Sequence, residues 1–246
     1  MSLEKCKRIT KSNKKVKPYI KKLFQLSKIS VWLVDGEYIR KNICEDFVNY
    51  AHHYNFSFIP KNEFWIANGA SKEEIRFYIY RMLVEQRLVK QGLPFQEAKK
   101  KAAIAEYRER KKSEFVKKLE AENKKKDILV RKVHSKLLKK YCGKVKVWLV
   151  NGELVRSFFD VDFGGGGHDR VYHYIPKNEV WIDDDIHTKE RKFIILHELH
   201  ERNLMSRGMS YPNAHLKATK MEDYYRHHKK NIVKAIKEEI KKQKVF

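Results

Sequence analysis

The side chains best equipped for chemistry cluster in the segment FIILHELHERNLM and the stretch after it. His197, His200, Glu201 and Leu204 are spaced i, i+3, i+4, i+7, with Phe193 continuing the stripe, so a helix places them on one face. Ionisable groups on an otherwise apolar face need a metal, a salt bridge or a hydrogen-bond network to offset their desolvation. A second run, YPNAHLKATKMEDYYR, sets His215 and Glu222 on one face, with Ala218 between them where a neighbouring helix can approach. Two antiparallel helices joined over Arg207–Tyr211 bring His197 and Glu201 near His215 and Glu222. Two imidazoles and two carboxylates suit zinc, or manganese or iron with added waters. A hydrogen-bonded His–Glu network without a metal is the competing reading.

The chain carries its own control, because it is a tandem duplication. VWLVDGEYIR at Val31 returns as VWLVNGELVR at Val147, and FIPKNEFWI at Phe58 returns as YIPKNEVWI at Tyr174. The shared offset is 116, and between Val31/Val147 and Lys112/His228 it gives 29 identities over 82 positions without a gap. Under this offset His197 becomes Arg81, Glu201 becomes Glu85, His215 becomes Lys99 and Glu222 becomes Glu106. The carboxylates stay while both imidazoles become fixed cations, so two salt bridges are expected in copy one where copy two holds a metal.

The string His197-Glu198-x-x-Glu201 resembles the active helix of the zincin metallopeptidases, where two ligands sit one turn apart and the Glu after the first is a general base. A similar HE-x-HE…G…Y…AH…E string occurs in small zincin-like or uncharacterised proteins of phages and mobile elements. The resemblance implies His197 and Glu201 as ligands, Glu198 as base, and His215 or Glu222 as third ligand. The pattern departs from the family in having Glu as second ligand and an additional His200. Glu198 becomes Met82 in copy one, which is therefore expected to be inactive. The leading function is a metal-dependent hydrolase of peptidase-like design, with zinc as the expected divalent cofactor and copy two alone expected to be active. The alternative is a non-enzymatic nucleic-acid-binding protein with a structural His/Glu or metal cluster, and a metal-dependent nuclease is a third reading.

Only copy two has the run Gly164, Gly165, Gly166, Gly167 before His168, read as a loop near the site and a candidate lid. Asp162 and His168 persist as Asp46 and His52, which favours a structural role over ligation. Asp183, Asp184 and Asp185 suit the charge preference of a helix N-terminus better than extra ligation. His227 and His228 are expected to be exposed. The Pro-Lys-Asn-Glu turns and the tryptophans after them (Trp65, Trp181), with Trp32 and Trp148, belong to the shared core.

The elements that must position these groups follow from local pattern. Each copy is read as α+β: a basic amphipathic helix (Tyr19 to Leu26; Val133 to Tyr141), a β-hairpin turning at Asp-Gly or Asn-Gly, an aromatic strand, a second strand, and a helix pair broken at Gly92 or Gly208. Small antiparallel sheets followed by helix pairs result, joined by a long basic helix, with Ser71 and Glu74 as a capping box. The boundary is placed within 113–130, giving a degenerate repeat over 1–125 and a site-bearing repeat over 126–246. Lysines and arginines number 55 against 31 acids, a formal charge of +24, which attracts polyanions and nucleic acid above all. The charged start predicts no signal peptide, and no apolar run suggests a membrane partner. The three scattered cysteines, odd in number and without a CxxC pair, argue against a cysteine metal site and a disulfide framework, and suit a reducing cytoplasm.

Overall fold

A computed structural model describes residues 18–122 and 126–245. The charged start and the lysine run at 124–126 therefore lie wholly or largely outside the described residues. The chain divides into two compact units near Glu122, one for each copy. Both are α+β, each a four-stranded sheet followed by helices, as a tandem duplication requires.

In copy one, β1 (Tyr19–Leu26), β2 (Ile29–Val34), β3 (Tyr50–His52) and β4 (Glu63–Ala67) form a sheet in the order β1-β2-β4-β3. The central pair β2/β4 is parallel and the outer pairs are antiparallel. Helix α1 (Gly36–Asn42) makes the crossover, and α2 (Lys72–Lys90), α3 (Phe95–Arg110) and α4 (Glu114–Glu122) follow. Alternation along β4 sends Trp65 and Ala67 to the α1 side and Phe64 and Ile66 to the α2 side, so the sheet carries a core on each face.

Copy two opens with α5 (Lys126–Val133), then repeats the sheet as β5 (His134–Leu137), β6 (Lys146–Val150), β7 (Gly166–His168) and β8 (Glu179–Asp183), with β6/β8 parallel. Helix α6 (Gly152–Phe158) is the crossover, and α7 (Arg191–Met205), α8 (Tyr211–His227) and α9 (Ile232–Lys242) complete the unit. Val147, Val180 and Ile182 pack on Ile195, Leu196 and Leu199 of α7 and on Ile232 and Ile236 of α9.

Four local expectations are corrected. The Asp-Gly and Asn-Gly pairs start helices instead of hairpins: Asp35 accepts from the Tyr38 backbone N–H at 3.0 Å and Asn151 from that of Leu154 at 2.9 Å. Both residue types are strong N-caps as well as turn formers, and a parallel pair cannot be joined by a tight turn. The segment Tyr19–Leu26 is a strand, not an amphipathic helix. Two register shifts against β2 break its alternation, which is how its apolar spacing imitates a helix. The aromatic segments before Pro60 and Pro176 are turns rather than strands, with Phe56 stacked on Phe58 and Tyr174 stacked on Phe159 at the end of α6. The connector is not one long helix: α3 stops at Arg110 and α4 begins at Glu114.

The helix-pair reading holds in detail. Gly92 (φ +93°) and Gly208 (φ +89°) take the left-handed conformation just past α2 and α7. Ser71 caps α2, but Glu74 turns away from the capping box toward Arg110. Cys142 is a free thiol. Among the described residues no helix is long and apolar enough to cross a membrane.

Candidate metal centre

Helices α7 and α8 pack side by side, and their facing sides carry a ladder of buried charge. At one end Arg226 pairs with Glu190 at 2.7 Å and with Glu222 at 2.6 Å. Glu222 then meets His197 Nδ1 at 2.9 Å. His197 Nε2 faces His215 Nδ1 at 3.2 Å and Glu201 Oε2 at 3.5 Å, and His215 Nδ1 lies 2.7 Å from that same oxygen. Finally Glu201 Oε1 meets His168 Nε2 at 3.0 Å.

Tautomers sort these imidazoles into two kinds. The Arg170 backbone N–H donates to His168 Nδ1 at 3.2 Å, so the His168 proton is on Nε2 and is donated to Glu201. His168 thus has no lone pair left for a ligand and serves to aim Glu201. Copy one repeats this arrangement, with the Tyr54 N–H donating to His52 Nδ1 and His52 Nε2 on Glu85 at 2.8 Å. His197 is the reverse case. Its Nδ1–H donates to Glu222, which leaves Nε2 directed at Glu201 and His215, the orientation a carboxylate imposes on a metal-binding histidine.

Three donor atoms therefore converge: His197 Nε2, His215 Nδ1 and Glu201 Oε2. Their separations of 2.7 to 3.5 Å bracket the roughly 3.3 Å between neighbouring ligand atoms of a tetrahedral zinc with 2.0–2.1 Å bonds. The His215 side chain is 33 % exposed, so the cluster opens toward solvent on the α8 side.

Electrostatics favour a cation here. Copy one buries three carboxylates (Glu74, Glu85, Glu106) with two guanidinium groups (Arg81, Arg110). The equivalent region of copy two buries four (Glu190, Glu198, Glu201, Glu222) with Arg226 alone. With neutral imidazoles, copy two is two positive charges poorer than copy one, a deficit that one divalent ion would offset. Without the ion the cluster draws in protons. Burial disfavours a charged His197, but its hydrogen bonds to Glu201 and Glu222 outweigh this and raise its pKa well above the ordinary value. Burial likewise opposes ionised Glu222, yet His197 and Arg226 hold it at about 2. Glu201 is pulled well below the carboxylate range, against its burial, by His168, His197 and His215.

Glu198 differs from its neighbours. It is buried, and among the described residues it has no hydrogen-bond or ion-pair partner. Burial, then the charges of Glu201 and Glu222, push it up to about 8 despite the opposing effect of His197. The Gly run explains its placement. A Cβ at Gly166 would lie 3.0 Å from Glu198 Cγ and 3.0 Å from the Trp181 carbonyl oxygen. Copy one has Tyr50 and Met82 at these two positions, with the Tyr50 ring stacked on Tyr78 at 4.4 Å. The expected glycine lid is thus corrected: Gly166, Gly167 and His168 are strand β7, and the bare backbone of Gly166 makes room for Glu198.

Other expected residues fall elsewhere. His200 is not in the cluster; its Nδ1 faces Glu239 of α9 at 3.3 Å. Of the three converging groups Glu222 touches His197 alone, at its far nitrogen, and so lies behind the donor atoms. Lys99 is exposed and without an ion-pair partner among the described residues, so the second expected salt bridge of copy one is absent; Glu85 is held by Arg81 and His52. Arg81 also reaches Glu106 at 3.2 Å and thereby joins the two carboxylates. Asp184 accepts from the N–H of Gly152, the first residue of α6, and so serves a helix N-terminus as expected, whereas Asp183 and Asp185 clasp Arg156 at 2.6 and 2.7 Å. His227 and His228 are exposed, as expected. Trp65 and Trp181 are buried on the α1 and α6 sides, donating to Glu63 and Glu179 of the Pro-Lys-Asn-Glu turns.

Sequence reasoning missed Glu190, Arg226 and Tyr211. Glu74/Glu190 and Arg110/Arg226 are identical between copies, and that shared pair of opposite charges was the available signal. Tyr211 starts α8 with its ring 5.6 Å from His215, and burial with the charges of Glu201 and Glu198 raises its hydroxyl pKa. Comparison with protein-family models, curated proteins and solved structures finds no match for this chain.

Proposed function

We propose that copy two is a metal-dependent hydrolase. The observation that carries this reading is the convergence of His197 Nε2, His215 Nδ1 and Glu201 Oε2 beside an unpartnered buried carboxylate, Glu198. Two imidazole nitrogens and one carboxylate oxygen are a zinc donor set, and three protein donors with an open side fit a catalytic site better than a closed structural one. A divalent ion held by these residues supplies Lewis-acid polarisation of a water molecule. The rest falls to the chain. Glu222 and His168 fix the orientations of His197 and Glu201. Glu198, brought down from its raised pKa by a nearby cation, accepts the water proton and passes it to the leaving group. The attacking oxygen forms its bond to the carbonyl carbon as the bond to the leaving nitrogen or oxygen breaks.

The test is metal analysis of the purified chain beside a His197→Ala, His215→Ala double variant, with hydrolysis of a fluorogenic peptide library as the activity assay. One equivalent of zinc in the parent, none in the double variant, and metal-dependent hydrolysis lost in Glu198→Gln are expected. Equal, negligible metal in both would overturn the reading. The formal charge of +24 supports a second proposal, that the chain binds nucleic acid or another polyanion. Under it the cluster is structural, zinc stays bound in Glu198→Gln, hydrolysis is absent throughout, and affinity for duplex DNA falls steeply with salt.

A further inference from the structure

The difference between the copies reaches one more group on the open side of the cluster. Tyr211 is the first residue of α8, after Ser210 and before Pro212, whose ring restrains the first turn. Its ring is tilted against His215 with centroids 5.6 Å apart, and the residue is 43 % exposed. Among the described residues its hydroxyl has no hydrogen-bond partner. Copy one has Phe95 at this position, and that ring packs on His52 and Tyr54. The hydroxyl is thus lost together with the other exchanges that dismantle the cluster: His197 to Arg81, Glu198 to Met82, His215 to Lys99 and Gly166 to Tyr50. A ring kept only for packing has no need of the hydroxyl, as Phe95 demonstrates.

We infer that the Tyr211 hydroxyl is a catalytic group that donates a hydrogen bond to the substrate's carbonyl oxygen as negative charge develops there. The inference rests on the hydrolase reading and identifies the substrate as an acyl compound, an amide or ester. Tyr211 keeps its proton throughout; the proton that moves is the one Glu198 carries from water to the leaving group. A donor aimed at a developing oxyanion stabilises it more than the ground-state carbonyl, so the effect belongs in kcat more than in KM.

The test compares the zinc-loaded parent with Tyr211→Phe, and Phe95→Tyr as a control. Acetohydroxamate, a chelating carbonyl analogue, is titrated by calorimetry, and zinc affinity is measured separately. Expected are unchanged zinc affinity and melting temperature in Tyr211→Phe, about tenfold weaker hydroxamate binding, as loss of one hydrogen bond gives, and a roughly hundredfold lower kcat with KM little altered. Equal hydroxamate affinity and kcat in the parent and Tyr211→Phe overturn the inference. If the hydroxamate effect appears while no acyl substrate is turned over by either protein, the hydrolase reading fails and Tyr211 stands as a ligand-binding donor. If the parent holds no zinc, both fall.

Discussion

His197 donates through Nδ1 to Glu222 at 2.9 Å, and this one bond decides which nitrogen of the ring faces Glu201 and His215. At the equivalent position of copy one, Arg81 spans the same two carboxylates, meeting Glu85 at 3.1 Å and Glu106 at 3.2 Å. A guanidinium bridges by itself what an imidazole bridges only with help. Arginine brings its own permanent charge and several donors, whereas histidine brings one bridging ring and needs a proton or a metal ion to supply charge.

The two solutions should be interchangeable for folding but not for metal binding. His197→Arg is expected to abolish zinc binding and to make the melting temperature of copy two indifferent to chelator. The parent should melt lower in chelator than in zinc, by about 2.7 kcal/mol of stability at a metal concentration one hundred times the dissociation constant. Calorimetric scans of both proteins with and without EDTA check this. An equal chelator response in both would contradict the exchange argument.

Metal binding should also release protons. The cluster without a metal holds a proton on His197, whose pKa is raised well above its usual value by Glu201 and Glu222 despite burial, and Glu198 is raised to about 8 mainly by burial. A cation must displace the His197 proton from Nε2 and favours ionised Glu198. Zinc affinity is therefore expected to rise with pH up to about pH 8. Titration calorimetry at one pH in buffers of different ionisation enthalpy should report at least one proton released; a buffer-independent enthalpy would count against the assignment.

Much of this is legible in the sequence itself, and the reason is the duplication. Comparing copies placed His197, Glu201, His215 and Glu222 on facing helices, where the structure also has them. The comparison could not tell which nitrogen each histidine uses. His168 looked structural because His52 survives, and the backbone N–H on its Nδ1 supplies the physical cause. Asp-Gly and Asn-Gly carry two local meanings, hairpin turn and helix start, and only the long-range parallel pairing of β2 with β4 chooses between them. His200 shares a helix stripe with His197, but α9 covers that part of α7 and supplies Glu239 as its partner, a contact no local periodicity reveals.

Gly166 should prove as sensitive as the ligands. A methyl group there meets Glu198 Cγ, Ile194 Cγ2 and the Trp181 carbonyl oxygen at 3.0 Å each, and the backbone oxygen cannot move without disturbing β8. Gly166→Ala is expected to cost about 1–3 kcal/mol by overpacking and to displace Glu198 while leaving the three donors in place. Zinc affinity should stay within a few-fold of the parent as hydrolysis falls by tenfold or more. Loss of zinc and activity in parallel would mean that Gly166 supports the whole cluster and not Glu198 in particular.

Helix α9 gives a pH-dependent test away from the candidate metal centre. Glu239 is buried against α7, and although burial favours its neutral form, the His200 ring beside it and hydrogen bonds from Lys242 and Asn203 hold it at about 2. Its folded pKa lies below the unfolded value of 4.5, so the folded state prefers the ionised carboxylate. That contribution is complete above about pH 5 and disappears as pH falls through 4.5 toward 2. Glu239→Gln should therefore be less stable than the parent at pH 6, and the gap should close on acidification. Urea melts of both proteins at several pH values measure it. A gap that stays constant from pH 6 to pH 3 would mean that Glu239 stabilises the docking of α9 through packing, with no share from its charge.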